Sequence, residues 1–257
     1  MVDEYTRHLE RNKEVKGKGL SQFRMKVLAD VLLFFSPFSV AVLPHIVGKP
    51  SRENMFALSV CVIGEAISWA SIPIFAWLLY QGFEWTGNAW LYGLRLLVLA
   101  LVCEVPYDYV VFGSAFDMHS QNPVFGLVVA LIVLGILDLM YAWRTSVLKV
   151  VLSAGVIIIG LLWDFMLSIG QTQRLMNVGI VTLGMCVTYY YLHSRENTMV
   201  FTAAIFGAAC VLTPGLGAVA LHYRNDKLGY THRWTRWAFY PVYPIMLVLC
   251  AAIGMAN

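Results

Sequence analysis

Three charged residues accompany one leucine-rich run, GLRLLVLALVCEVPYDY, at residues 93–109. Arg95 stands near its start, and Glu104 and Asp108 stand near its end. An arginine can bind an anion or a carboxylate, and a carboxylate in apolar surroundings can accept or release a proton. Glu65, in the preceding apolar run, adds a second candidate for such chemistry. The pattern therefore predicts either buried ion pairs or a cavity for an anionic ligand or for protons.

Composition identifies the environment of these charges. The chain has 257 residues, of which 59% are hydrophobic and 13% charged, whereas soluble proteins have about a quarter of their residues charged. Apolar runs follow one another from residue 25 to the C-terminus with no large polar block between them. We therefore predict an all-α, polytopic transmembrane bundle, with residues 1–24 as a basic tail and residues 25–257 as one membrane domain.

The length of the apolar runs predicts about eight spans, with seven to ten possible. A hydrocarbon core about 30 Å thick needs roughly 20 apolar residues per helix. The run that contains the second span is also long enough for a surface helix followed by a shorter span that begins near Ser71. The predicted spans are residues 25–43, 57–80, 89–112, 124–142, 147–167, 175–192, 199–221 and 237–255.

The basic residues predict the orientation. Cytoplasmic flanks of membrane helices are rich in Lys and Arg. The N-terminal tail has six basic residues, and Lys26 at the start of the first span adds a seventh, so the tail is expected in the cytoplasm. With eight spans, a second basic loop would lie outside the cytoplasm, where the rule disfavours it. Either the number of spans is wrong by one, or this loop has a function. That loop contains Arg224, Lys227, Arg233 and Arg236. A net charge of +3 concentrated in the tail predicts contact with the lipid bilayer and no nucleic acid.

Several kinds of chemistry lack their sequence signatures. The five cysteines occur singly inside predicted spans, and no Cys or His spacing resembles a metal site. There is no Walker loop, no GxGxxG after a strand and no GxSxG. The run TPGLGAVA, with Gly215 and Gly217, is expected to serve close helix packing through small residues.

Helical geometry limits the partners of Arg95. Nine residues separate it from Glu104, which places the two about 180° apart around a helix. Glu65 on the neighbouring span is therefore the better partner, and Glu104 and Asp108, four residues apart, should form their own patch near a helix break at Pro106. Two further acids near span ends, Asp138 and Asp164, are expected to meet headgroup water.

Five stretches of the chain resemble the TraX family in order and spacing. SIPIFAWLLYQGF (71–83), YGLRLLVLALVCEVPYD (92–108) and QNPVFGLVVALIVLGILD (121–138) are similar to a PIFAF-like span, an Arg-led span closing with Glu-x-Pro-Tyr-Asp, and a Gln-Asn before the next helix. YRNDKLG (223–229) and WTRWAFYPVYPIML (234–247) are similar to the family's C-terminal loop and aromatic Tyr-Pro helix.

The resemblance implies a relative of membrane acyltransferases in a bacterial cytoplasmic membrane. The conjugative TraX proteins acetylate the N-terminus of pilin, so acetyl-CoA would be the donor and a pilin-like or surface amine the acceptor. In the family, the residues expected to perform this chemistry are an Asp-His pair in the first helix, an Arg before the PIF element and a His in the last helix.

This chain departs from the family at each of those positions. They correspond to Ser36, Pro37, Trp69 and Met246. None of these side chains is a base at neutral pH, and Trp or Met cannot bind a phosphate as a cation does. The resemblance therefore favours a TraX-like framework without transfer chemistry.

Three functions follow as hypotheses. The first is a catalytically degenerate membrane partner or binding module with no certain cofactor; the second is an active acyltransferase that uses acetyl-CoA with Glu65 or Glu104 as base; the weakest is a small transporter subunit. A surviving ligand cavity should be lined by the Arg95 span, the Gln121 and Asn122 turn, and the element containing Tyr243 and Pro244. The candidate binding residues are Arg95, Glu104, Asp108, Gln121, Asn122 and Tyr243.

Overall fold

The fold is a helical bundle. The computed structural model describes residues 19–141, 147–171, 176–225, 227–230, 232 and 234–255. Within these ranges the only extended pairing is an isolated bridge between Leu20 and Arg224. The predicted tail falls mostly on residues 1–18, which lie outside the described residues, as does Arg233 of the basic loop.

The described residues form twelve α-helices. They are α1 (Gln22–Pro37), α2 (Leu43–Val47), α3 (Met55–Ser68), α4 (Ile72–Trp85), α5 (Ala89–Phe112), α6 (Pro123–Tyr141), α7 (Val147–Met166), α8 (Val178–Leu192), α9 (Glu196–Cys210), α10 (Leu212–Val219), α11 (Thr235–Ala238) and α12 (Val242–Met255). A π-helical turn, Phe38–Val42, joins α1 to α2, and a 3₁₀ turn, Trp69–Ser71, joins α3 to α4.

Asparagine side chains begin several of these helices. Asn54, Asn88 and Asn177 each accept a hydrogen bond at 3.1 Å from the backbone N–H three residues later. Such caps satisfy N–H groups that have no partner inside the helix. Gly113, with φ of 69°, ends α5 in the left-handed conformation that favours glycine. The helix boundaries thus follow from local sequence.

The bundle has two ends, which contacts between helix termini identify. Gln22 at the start of α1 donates a hydrogen bond to Gln81 near the end of α4, at 3.0 Å. The rings of Tyr80 and His193 lie 5.9 Å apart and bring the end of α8 to the same place. We name this the cationic end. The loops at residues 48–54, 113–122 and 167–171 lie at the opposite, far end.

In the part of the chain that the structure describes, five helices are long and apolar enough to cross a membrane. They are Gln22–Val47, Met55–Trp85, Ala89–Phe112, Pro123–Met140 and Val147–Met166. Two further apolar helices, α8 and α12, are shorter. An all-helical, multi-pass architecture is therefore confirmed, whereas eight spans are not. The predicted second span is one long helix with a 3₁₀ turn inside it.

The predicted span at 199–221 is wrong, because the chain reverses at Val211. Val211 has an extended backbone, with φ of −156° and ψ of 149°, between α9 and α10. The two helices pack against each other where a Cβ on Gly215 would lie 2.7 Å from the Ala204 carbonyl oxygen. Packing through small residues, as expected for TPGLGAVA, is confirmed here. We call α9 and α10 the helical hairpin.

The start of α1 and the second basic loop are at the same end. The Leu20 N–H donates to the Tyr223 carbonyl at 2.7 Å, and the Gln22 N–H donates to the Lys227 carbonyl at 2.8 Å. Eight spans would have placed the second basic loop on the side opposite the N-terminal tail. The two lie at the same end because the helical hairpin enters and leaves at one end and adds no crossing.

Candidate binding site

Glu65 forms the polar centre of the bundle. It is 2% exposed. Its Oε1 accepts a hydrogen bond from Ser36 Oγ at 3.1 Å, and its Oε2 accepts one from Ser39 Oγ at 3.2 Å. Hydrogen bonds to both oxygens compensate part of the cost of burying a carboxyl group. We call Ser36, Ser39 and Glu65 the serine–glutamate cluster.

Local sequence explains how two serines reach one carboxylate. Pro37 follows Ser36 and precedes the π-helical turn that contains Ser39. Gly64 precedes Glu65, and a Cβ at Gly64 would lie 2.8 Å from the Cβ of Ser39. The absence of a side chain at Gly64 therefore allows α3 to approach the π-helical turn that follows α1. π-Helical turns of this kind are frequent at functional sites.

A cavity of about 120 Å³ adjoins the serine–glutamate cluster. We call it the inner cavity. Ser36, Glu65, Trp69 and Tyr243 are among its lining residues. Among the described residues, the Trp69 indole N–H has no hydrogen-bond partner, although the side chain is buried. The cavity thus combines an acceptor, hydroxyl groups and a buried N–H donor.

A second cavity, of about 250 Å³, leads from the inner cavity toward the cationic end. We call it the outer cavity. Five residues line both cavities and mark where they meet. They are Asp30, Phe75, Leu99, Leu127 and Phe239. The outer part also contains two cations, Lys26 and Arg95, so the combined space changes from cationic to acidic with depth.

No carboxylate among the described residues pairs with Arg95, which corrects the predicted partnership with Glu65. Its guanidinium carbon lies 5.0 Å from the centre of the Trp237 ring. Glu65 instead bonds the two serines. The reason is the rotation of α5, which directs Arg95 toward the aromatic residues of the C-terminal segment. A cation over an indole face is electrostatically stabilised without an acid.

Glu104 and Asp108 lie away from both cavities and organise the loop at the far end. Glu104 Oε2 accepts hydrogen bonds from the Asn122 backbone N–H, at 3.2 Å, and from its side-chain amide. Asp108 Oδ2 accepts from the Asp117 N–H at 2.9 Å. The expected break at Pro106 is wrong, because α5 continues through it to Phe112.

Asn122 completes this far-end cluster. Its side chain donates to the Ala100 carbonyl at 2.8 Å and accepts from the Val124 N–H at 3.0 Å. Neither Gln121 nor Asn122 lines the inner or the outer cavity, which corrects the expected lining. In the exposed loop nearby, hydrogen bonds from the backbone N–H and ring of His119 hold the pKa of Asp117 below its usual value.

The acids near span ends differ in environment. Asp138 is exposed near the end of α6. Asp164 is fully buried, and neither of its carboxyl oxygens has a hydrogen-bond partner among the described residues. A Cβ on Gly179 would lie 2.9 Å from the carboxyl carbon of Asp164, so the start of α8 covers this group. The expectation of headgroup water is therefore wrong for Asp164.

Some residues of the cavities and of the serine–glutamate cluster are not singled out by sequence reasoning. Asp30 and Lys26 lie one turn apart on α1, and both line the outer cavity. The sequence feature that could have identified Asp30 is its position as a charged residue inside the first apolar run. Ser39 and Trp237 have no comparable signal, because a serine in a membrane helix and an aromatic residue at a span end are both common.

The described residues contain no group of three His, Cys, Asp or Glu side chains that could hold a metal ion. The arrangement can bind a ligand between two cations and a buried carboxyl group, and it can position a hydroxyl beside that group. Comparisons with protein-family models, curated proteins and solved structures find no match to this chain. The TraX resemblance therefore stays a prediction from the motifs alone.

Proposed function

We propose that this chain is a TraX-like membrane protein that binds a ligand in its two joined cavities and does not transfer acetyl groups. One observation carries the proposal: Ser36 and Trp69 line the inner cavity beside Glu65. These are two positions at which the resemblance implies a base and a phosphate-binding Arg. A framework that keeps the cavity but replaces these side chains is suited to binding.

The chemistry of the replacements supports loss of transfer. Acetyl transfer to an amine needs a base, donors for the developing oxyanion and cations for the CoA phosphates. Glu65 is the remaining carboxyl group beside Ser36, and both its oxygens accept hydrogen bonds from serines. Trp69 offers an N–H donor but no charge. Catalytic groups that act as a unit lose most of their effect when several are missing.

An active acyltransferase is the second candidate, and one contact favours it. Ser36 Oγ lies 3.1 Å from Glu65 Oε1, within the distance at which a carboxylate can accept a hydroxyl proton. Glu65 is then the base of interest, since Glu104 bonds Asn122 and lines neither cavity. The two functions differ in whether acetyl-CoA is consumed.

The distribution of charge supports a cytoplasmic location for the cationic end. Of the described residues, Arg24, Lys26, Arg195, Arg224 and Lys227 flank helices at that end, against Lys49 and Arg52 at the far end. Cytoplasmic flanks carry the excess of Lys and Arg. In this orientation the outer cavity opens toward the cytoplasmic leaflet of a bacterial membrane, and a pilin-like protein is a candidate partner.

Mass spectrometry of surface and pilin-like proteins, with and without this gene, tests the proposal in cells. We expect identical masses in the two strains. Loss from any such protein of the acetyl group, roughly 42 Da, on deletion of the gene, with restoration by the wild-type chain but not by Glu65→Gln, would favour the active enzyme instead.

A further inference from the structure

We propose that the outer cavity is a site for an anionic phospholipid, with the lipid phosphate at Arg95 and Lys26 and one acyl chain in the apolar part of the cavity. The inference rests on the proposed function, because it names the ligand class of the same cavities. It specifies the chemical class of the ligand, which the binding role alone leaves open.

Arg95 is the first of the two cations that line the outer cavity. It lies six residues into α5, about 9 Å along the helix from the cationic end, and its side chain is exposed. Its guanidinium lies 5.0 Å from the Trp237 ring, and no described carboxylate pairs with it. A guanidinium held against an aromatic face keeps its N–H groups available for an anion. Phosphate oxygens are strong partners for such a group.

Lys26 brings a second cation to the same space. Its Nζ lies 5.3 Å from the centre of the Phe239 ring and 5.8 Å from that of Tyr230. Asp30, the acidic residue of the outer cavity, lies one turn further along α1 and also lines the inner cavity. The two cations are therefore nearer the cationic end than the acid, which places the positive charge at headgroup depth and the acid below it.

The surface around Arg95 favours a lipid over a soluble anion. Leu91, Leu94 and Val98 are exposed on the same helix, at 50%, 55% and 52% of their area. In a membrane such a surface faces acyl chains. Deeper in the cavity the walls are apolar, with Leu78, Leu96 and Leu99 among them. Basic pockets between membrane helices on the cytoplasmic side suit acidic headgroups, and the leucines suit the attached chain.

The test is lipid titration of the purified full-length chain in neutral detergent, followed by native mass spectrometry. Phosphatidylglycerol is the probe, and phosphatidylcholine and phosphatidylethanolamine are the comparison lipids. We expect phosphatidylglycerol to bind most tightly. Arg95→Gln should weaken its binding about five-fold, the factor that one basic side chain contributes near an anionic membrane surface. Arg95→Lys, which keeps the charge, should retain most of the affinity.

Arg24→Gln is the matched control, because Arg24 is exposed in the first turn of α1 and does not line the cavity. It should bind phosphatidylglycerol as the wild type does. Equal binding by Arg95→Gln and wild type would overturn the lipid site, as would equal affinity for all three lipids. Displacement of phosphatidylglycerol by millimolar inorganic phosphate or free coenzyme A would assign the cations to a soluble anion.

Failure of this inference is distinguishable from failure of the proposed function. Acetyl transfer by the wild type would contradict the binding role whatever the lipid titration shows. Equal binding of phosphatidylglycerol by Arg95→Gln and wild type, in a protein that transfers no acetyl groups, would contradict only the assignment of a phospholipid as the ligand.

Discussion

Arg224 forms an ion pair with Glu196, in which Arg224 Nη1 lies 3.1 Å from Glu196 Oε1 and joins the two ends of the helical hairpin. The Arg224 side chain is 5% exposed, and its guanidinium lies 4.3 Å from the Trp77 ring. Glu196 is 51% exposed. The arginine therefore connects the hairpin to the bundle core, whereas the glutamate lies at the surface.

This difference predicts unequal mutational effects. Arg224→Ala removes the stacking on Trp77 and a hydrogen bond to Leu221, so we expect a loss of about 2 kcal/mol of stability. Glu196→Gln should cost less than about 1 kcal/mol, because exposed ion pairs contribute little. Thermal unfolding of the purified protein in detergent measures both. Arg195→Gln, at an exposed neighbouring cation, is the control; equal effects of Arg224→Ala and Arg195→Gln would contradict the proposed anchor.

Close packing of the hairpin gives a second prediction. A Cβ on Gly217 would lie 2.0 Å from the Ala70 carbonyl oxygen, inside the 3₁₀ turn between α3 and α4. Gly217→Ala should lower the free energy of unfolding by about 1–3 kcal/mol through overpacking.

Gly155→Ala is the control for this substitution, because nothing lies within 4 Å of the position of a new Cβ there. It should be neutral, or stabilising by up to about 1 kcal/mol, since alanine favours a helix more than glycine does. A Gly217→Ala protein as stable as Gly155→Ala would show that α10 does not pack on this turn.

Hydropathy predicts how many apolar segments the chain has, but not whether a segment continues in one direction or reverses. Residues 199–221 are long enough for a span, and the reversal at Val211 depends on the contact between Gly215 and Ala204, which lies outside any single-segment pattern. The other long runs form helices near their predicted bounds, because length, caps and apolar character are local properties.

In the candidate site, too, sequence identifies individual residues but not the contacts between distant segments. The resemblance identifies Ser36 and Trp69 as positions of interest, and the structure brings both to Glu65. The partner of Arg95 depends on helix rotation and on Trp237, which is 142 residues away in sequence. Spacing along one helix excludes Glu104 as its partner but contains no information about which neighbouring helix the guanidinium meets.

Topology provides a third prediction. Cysteines are introduced singly at Arg24, Ser51 and His232 in a chain whose exposed Cys210 is replaced by serine. In intact cells a membrane-impermeant maleimide should label the Ser51 site, at the far end, and should label the other two only after lysis. Labelling of the Arg24 and His232 sites on opposite sides would contradict the hydrogen-bonded pairing of their segments.

Removal of the buried carboxyl group provides a fourth prediction. Glu65→Ala removes the acceptor of the Ser36 hydroxyl and one of the two acceptors of the Ser39 hydroxyl, which also contacts the Ser36 carbonyl oxygen. Stability should therefore fall by about 1–3 kcal/mol, and expression should fall with it. Asp138→Ala, at an exposed carboxylate, should change neither. Size-exclusion chromatography and thermal unfolding of both variants provide the comparison. An unchanged Glu65→Ala protein would mean that the serine–glutamate cluster contributes nothing to the fold.

An assay of acetyl transfer by the purified wild-type chain distinguishes a binding protein from an acyltransferase. The protein is incubated with acetyl-CoA labelled in the acetyl group and with a peptide that has a free N-terminal amine, and labelled peptide and released label are counted. We predict no transfer or hydrolysis above a protein-free control. Reproducible transfer that Glu65→Gln abolishes, while Asp138→Asn retains it and both variants stay folded, would contradict the binding role and identify Glu65 as the base.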